Sequence, residues 1–223
     1  MKRAFGISVA LVVAATWALS ACAKEPAANP LGKWQAGTNY VLLPAPQPTS
    51  VKQGKVEVTE VFWYGCGHCY ALDPTLEEWK KTKPAYVEFI RMPVMWGVPQ
   101  QQHAKLFYTL QALNRLDLHS KVFDAIHKEH NMLAAPSETD ARAMQLAFAK
   151  ANGISEQDFN TAFDSMTVAT NLARAQEATL RYAVAGVPLM IVNGKYTTDV
   201  TTAGDPAKLV ALVNDLAASE KKR

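Results

Sequence analysis

The sequence predicts an α/β domain interrupted by an all-helical insertion, on three observations. Residues Lys55–Tyr64 form a strand-length run of apolar, β-branched and aromatic side chains that stops at Gly65. It opens onto Cys66-Gly67-His68-Cys69, where helix formers begin. A second strand-like run, Ala85–Pro93, follows that helix and completes a β-α-β unit. From Gln100 to about Ser165 only helical spacing is present, before Val187–Val192 and the hairpin signal Asn193-Gly194 restore the strand pattern. The expected boundaries are a first α/β part over 39–98, an inserted helical domain over 99–167 and a second α/β part over 168–223.

At the N-terminus, Lys2 and Arg3 precede an apolar core from Ala4 to Leu19, too short to span a bilayer stably and of the kind found in secretory signals. It closes on Leu19-Ser20-Ala21-Cys22, which resembles a bacterial lipoprotein box. That resemblance implies a signal peptide over 1–21 and a lipid on Cys22. The plainer alternative is an ordinary small-residue cleavage site beside an unpaired cysteine. Ala23 to Gly37 is rich in Ala, Pro, Gly and charge and lacks an apolar period, so 22–38 reads as a lipidated terminus and tether with a reach of roughly 20 Å. The formal charge is +3, and about +1 without Lys2 and Arg3; with no basic stripe bearing aromatics, nucleic-acid binding is not expected. Export places the dithiol in an oxidising compartment. Of the three cysteines, one is assigned to lipid and two are left for chemistry, with no structural disulfide.

Tyr40–Leu43 is a short strand ended by Pro44, Pro46 and Pro48. In the strand Lys55–Tyr64, alternation puts Val56, Val58, Glu60, Phe62 and Tyr64 on one face. Glu60 is then a carboxylate among apolar side chains, where burial raises its pKa and lets it hold a proton. The alternative is an edge carboxylate reaching solvent. The strand-to-helix handover puts Cys66 at a helix N-terminus, where free N–H groups and the helix dipole favour a thiolate. A protonated or donating His68 adds to that. Haem attachment needs a histidine directly after the second cysteine, where Tyr70 stands. Structural zinc needs four ligands, and His103, His119, His127 and His130 lie far along the chain. A two-residue loop makes a weak structural bridge. The pair therefore reads as a redox dithiol. Pro74 should kink the helix and Lys83-Pro84 should end it.

Pro93 to Pro99 is an apolar connection whose Met95 and Trp96 suit adaptable contact with unfolded chains; Trp96 equally suits packing at a domain junction. In the insertion, Leu106, Leu110 and Leu113 keep helical spacing, Ser120 can cap a helix carrying Val122, Phe123 and Ile126, and Ser137 and Ser155 can cap two more. The insertion is expected to bury its own leucines and phenylalanines. His119, His127 and His130 read as surface histidines rather than metal ligands. Val168 to Ala185 is an amphipathic helix stopped by Gly186, and Lys195–Thr202 is the hairpin partner of Val187–Val192. Asp205-Pro206 starts the last helix, which buries Leu209, Leu212, Val213 and Leu216 and frays from Glu220.

The strand ending on Cys66-Gly67-His68-Cys69, with Pro74 five residues after Cys69 and Gly186-Val187-Pro188 beyond the helical stretch, resembles the thioredoxin superfamily and, within it, the DsbA-type periplasmic thiol oxidases. The resemblance implies a thioredoxin fold with an inserted helical domain and no cofactor or metal. It implies Cys66 and Cys69 as the reacting sulfurs, with His68 beside them, and Glu60 as a proton relay. It also implies a cis Pro188 that holds Val187 ready to pair with an extended substrate; Trp63 and Trp96, read from their place near the site, are the candidate apolar contacts. Gly67 departs from the Pro-His of many DsbA proteins, and Gly-His is the dipeptide of protein disulfide isomerases. That change leaves the oxidase-versus-isomerase balance open, the expected shift being one or two steps of about 30 mV in either direction, each about 1.4 kcal/mol. The implied function is a monomeric periplasmic oxidase that introduces disulfides into reduced exported proteins. A lipid on Cys22 would hold it at the inner or outer membrane, and a DsbB-type membrane oxidase would renew it. Its rivals are a disulfide isomerase or reductase with the same residues, and a lipoprotein chaperone that uses the apolar surface around Trp63 and Trp96.

Overall fold

A computed structural model of the chain describes residue 1 and residues 32–221; the signal segment, Cys22 and most of the expected tether lie outside these residues. The strands are β1 (Val41–Leu42), β2 (Val56–Phe62), β3 (Val87–Pro93), β4 (Leu189–Val192) and β5 (Tyr196–Thr198), in one sheet of order β1-β5-β4-β2-β3. The helices are α1 (Gly67–Thr82), α2 (Val98–Ala112), α3 (His119–His127), α4 (Glu138–Ala151), α5 (Glu156–Phe163), α6 (Met166–Arg181), α7 (Val200–Ala203) and α8 (Pro206–Lys221). This is the expected α/β fold with helices inserted between β3 and β4.

All seven residues of β2 are buried, because the strand has a neighbour on each side and helices over both faces. It runs parallel to β3 from Val56↔Val87 to Phe62↔Pro93, with α1 as the crossover, and antiparallel to β4. The β4–β5 hairpin turns at Asn193 and Gly194, both left-handed at φ 51° and 62°. A Cβ on Gly194 would stand 2.3 Å from the carbonyl oxygen of Gln47, so only glycine fits there. The partner strand stops at Thr198 instead of running to Thr202. Asp199 caps α7 by accepting from the Thr202 N–H, while Thr202 accepts from the Asp199 N–H, so the chain coils one turn early.

The core lies in two clusters, and the expected single face of β2 is divided between them. Val56 and Val58 fall in the first, whereas Phe62 and Tyr64, at the end where the strand hands over to α1, join Val61 in the second. Val58, Leu72, Leu76, Trp79, Met190, Leu212 and Leu216 pack α1 and α8 on one side. On the other, Val61, Phe62 and Ile191 of the sheet pack directly against Leu106, Phe107, Leu110, Phe123 and Phe159. The insertion therefore does not enclose a core of its own; its apolar stripes complete the core of the sheet. Each fully buried Leu or Phe there contributes about 1.5–3 kcal/mol.

Ser137 and Ser155 cap α4 and α5 by accepting from the N–H groups of Asp140 and Asp158, each at 3.0 Å. Ser120 does not cap α3, which begins one residue earlier; its hydroxyl donates to Asp73 at 2.6 Å. The expected tether also ends sooner than 38. Trp34 is buried and its indole N–H donates to Asp215 of α8 at 2.8 Å. Glu220, expected in a frayed end, is buried and accepts from Asn193 (2.8 Å) and Tyr196 (3.0 Å) while pairing with Lys195.

Candidate active site

After β2 the chain turns through Gly65, where a Cβ would stand 2.4 Å from the indole of Trp63. The Cys66 N–H donates to the Trp63 carbonyl at 3.0 Å. Cys66 is the N-cap of α1 with extended backbone, and Gly67 is its first helical residue. Cys66 is half-buried, His68 exposed and Cys69 wholly buried, and both cysteines are free thiols. The Cys66 ionisation falls from an ordinary 9.0 to about 5. A hydrogen bond from the Cys69 thiol is the largest cause; burial opposes it, and the N–H groups of Cys69 and His68 and the charge of His68 add to the lowering. Burial pushes the Cys69 thiol the other way, helped by that shared hydrogen bond and the charge of Glu60. Two chemically alike side chains are thus driven apart into one anion-prone and one proton-holding sulfur.

Gly186-Val187-Pro188 enters β4 beside this pair. The Val187–Pro188 peptide is cis, and the Cys66 thiol donates to the Val187 carbonyl at 3.4 Å. A groove of about 640 Å³ runs from here, lined among others by His68, Leu72, Val187, Pro188, Asp199 and Val200. The sequence alone did not bring Asp199 and Val200 into this groove, because β5 and α7 reach it through the hairpin.

Glu60 is 1% exposed, so it is a buried carboxylate and not an edge one. Its partner, which sequence reasoning missed, is Arg91, directly across the β2–β3 register. Arg91 donates to Glu60 at 2.8 Å, to Glu77 at 2.7 Å and to Asp73 at 3.0 Å. Burial raises the Glu60 carboxyl; Arg91 opposes that, and the charges of Asp73 and Glu77 reinforce it. Burial likewise raises Asp73, which the Ser120 hydroxyl and Arg91 partly offset. One guanidinium facing three carboxyls cannot neutralise them all, so the cluster favours holding a proton. The available signal was an arginine between Ile90 and Met92 in the strand that pairs with β2.

The histidines are not all on the surface. His119 is buried and shares a 2.8 Å hydrogen bond with the Tyr64 hydroxyl, and burial holds its pKa well below the ordinary value. His127 contacts the Tyr64 carbonyl at 2.8 Å and stacks on Tyr70 at 4.7 Å between centroids. His103, also buried, contacts the Met132 carbonyl at 2.7 Å and lies 6.1 Å from the Trp63 ring; burial lowers it to about 4. Of the three histidines expected on the surface, His130 alone is exposed and His127 is half-buried. Trp63 is half-buried against this layer. Trp96 is 44% exposed while its indole N–H donates to the Val184 carbonyl at 2.9 Å, so it both faces solvent and ties the connection after β3 to the segment before Val187. Among the described residues no helix is long and apolar enough to cross a membrane.

Comparison with known proteins agrees with this geometry. A family model described as a DSBA-like thioredoxin domain matches residues 92–214, which include Gly186-Val187-Pro188 but begin after the cysteine pair. The chain is 39% identical over 189 residues to the thiol:disulfide interchange protein DsbA of Pseudomonas aeruginosa, covering 84% of this chain and 86% of that one. It is 40% identical over 216 residues to the protein of the same name from Pseudomonas syringae pv. tomato, covering 96% and 94%. The crystal structure of Pseudomonas aeruginosa DsbA superposes with a TM-score of 0.79 at 37% identity, covering 86% of this chain and 96% of that one.

Proposed function

The chain belongs to the DsbA-like family of thioredoxin-fold proteins and is a thiol:disulfide oxidoreductase that introduces disulfide bonds; from that premise we propose how its residues act, where, and with which partners. The observation that carries the residue roles is the asymmetry of the two sulfurs, Cys66 ionising at about 5 and Cys69 buried and pushed up. A sulfur that prefers to be an anion is a good leaving group and stabilises the dithiol over the disulfide, which makes the pair an oxidant.

In the oxidised pair a substrate thiolate attacks Sγ of Cys66. The Cys66–Cys69 bond breaks, and the electron pair leaves on Cys69, which takes a proton from the Glu60 carboxyl. A second substrate thiol loses its proton to solvent and attacks the substrate sulfur of the mixed disulfide, releasing Cys66 as a thiolate. Two electrons have then passed from substrate to protein, and Glu60 regains its proton from water. His68 supports the Cys66 anion. Val187 and Pro188 hold an extended substrate segment beside the sulfur, and Trp63 and Trp96 give it apolar contact.

The substrates are reduced exported proteins in the periplasm, and a DsbB-type membrane oxidase takes the two electrons back. The protein acts as a monomer without a cofactor, tethered through a lipid on Cys22 to the inner or outer membrane. Support for the anchor comes from the Leu19-Ser20-Ala21-Cys22 pattern and from a leftover third cysteine that the chemistry does not need.

Equilibration with glutathione tests the chemistry. The pair should remain dithiol in buffers containing mostly oxidised glutathione, and a pair that stays disulfide there is a reductase. The Cys69→Ala variant should accumulate mixed disulfides with exported proteins in cells. Wild type in the membrane fraction with Cys22→Ala in the soluble fraction is the result expected of the anchor; wild type in the soluble fraction removes it.

A further inference from the structure

We propose that Asp199 makes this oxidant selective for protein segments that carry a lysine or arginine close to the cysteine being oxidised. The inference rests on the oxidase reading above and concerns which substrates the same site prefers. The groove beside the dithiol is lined mainly by apolar side chains, Val41, Leu72, Val187, Leu189 and Val200 among them. Such a surface accepts many side chains and discriminates weakly among them. Into it comes one aspartate. Its Oδ1 is occupied by the α7 cap, accepting from the Thr202 N–H at 2.8 Å and facing the Thr202 hydroxyl at 3.2 Å. Among the described residues its Oδ2 accepts no hydrogen bond and no lysine or arginine pairs with it.

The acid that follows it, Asp205, is already paired with Lys208 at 2.8 Å. The other titratable groups of the lining are His68, beside the reacting sulfur, and the Tyr182 hydroxyl. Asp199 is therefore a half-exposed carboxylate, held in one place by its cap, with a free oxygen on the groove lining. A group already fixed costs little further ordering on binding. The Val187 carbonyl touches Cys66 and Val187 lines the groove, so a segment bound at the sulfur continues along the wall that carries Asp199. A cation on that segment gains a partner, and an acid on it meets like charge.

The experiment uses cysteine peptides differing only in Lys, Ala or Glu at each flanking position, and reads the initial rate at which oxidised full-length protein converts them. The same peptides reacting with oxidised glutathione give the intrinsic effect of each charge on the thiol. After that correction, wild type should favour the Lys over the Glu peptide by about fivefold at the best position. Asp199→Asn keeps the cap, because asparagine caps as well as aspartate, and should bring the ratio close to one. On wild type itself, raising salt from about 0.01 to about 1 M, which shortens screening from about 30 to about 3 Å, should also erase it. A corrected ratio near one in wild type, or one that Asp199→Asn leaves unmoved whatever salt does to it, overturns the proposal while leaving oxidation of the Ala peptide intact. If wild type oxidises none of the peptides, the oxidase reading falls and this inference with it.

Discussion

The sulfur of Cys66 lies 3.4 Å from the carbonyl oxygen of Val187, a residue 121 positions away. That carbonyl can accept only from the thiol form, so this contact works against ionisation. The lowering of Cys66 to about 5 is the work of the Cys69 thiol first, then of the N–H groups of Cys69 and His68 and the charge of His68, against burial. Titrating the reduced protein by ultraviolet thiolate absorbance should show one sulfur ionising near pH 5 and the second silent through the alkaline range. A first transition near 9 would contradict the assignment of Cys66.

The same asymmetry predicts a redox-dependent melting point. Only the reduced protein holds the thiolate, and a thiol lowered in the folded state stabilises it most fully above the unfolded value of 9.0. The stabilisation is lost as pH falls through about 5. At neutral pH the reduced form should therefore melt above the oxidised form, with the gap narrowing on acidification and vanishing below about 5. Calorimetry of both forms across that range measures it; a gap that widens on acidification contradicts it.

Two glycines beside the sulfurs should respond in opposite ways. Gly67 has no atom within 4 Å of an added Cβ and is the first residue of α1, where proline is well tolerated. The N–H groups that lower Cys66 belong to His68 and Cys69. Gly67→Pro should fold, gain about 0.4–1 kcal/mol through the unfolded chain, and leave Cys66 ionising close to 5. Gly65→Ala would drive a methyl to 2.4 Å from the Trp63 ring and should lose about 1–3 kcal/mol while shifting Trp fluorescence. Urea unfolding of the two variants decides both.

Arg91 should matter to stability more than any one of its acids. Arg91→Met leaves Glu60 and Asp73 buried without a cation and should cost about 3–5 kcal/mol, whereas Glu60→Gln should stay within about 1 kcal/mol of wild type. Without the cation, both carboxyls rise further. A carboxyl raised on folding destabilises once pH passes its unfolded value and is harmless below it, so the Arg91→Met penalty should shrink toward pH 4. A pH-independent penalty points to lost packing instead.

His103 should contribute to acid unfolding. The folded protein keeps it neutral down to about 4, whereas the unfolded chain takes a proton from 6.5 downward, so stability drains as pH falls between those values. His103 alone accounts for a loss of about 3 kcal/mol by pH 4. His103→Gln should flatten that part of the urea-stability profile, and an unchanged slope rules His103 out as its source.

What the sequence determined by itself was whatever depends on neighbours a few residues apart. The dithiol at a strand-to-helix boundary, the Ser137 and Ser155 caps, the Asn193-Gly194 turn and the start of α8 at Asp205-Pro206 all follow from local backbone preference. The tertiary structure decided which distant charges meet. Arg91 faces Glu60 because two strands separated by a helix pair in one register. His119 is buried and His127 half-buried because α3 packs onto the layer around Tyr64. Trp34 is core because it reaches α8, 181 residues away. The physical reason is one of range. A turn or cap is satisfied within its own segment, whereas a buried charge is settled only by the partner that the whole fold brings to it.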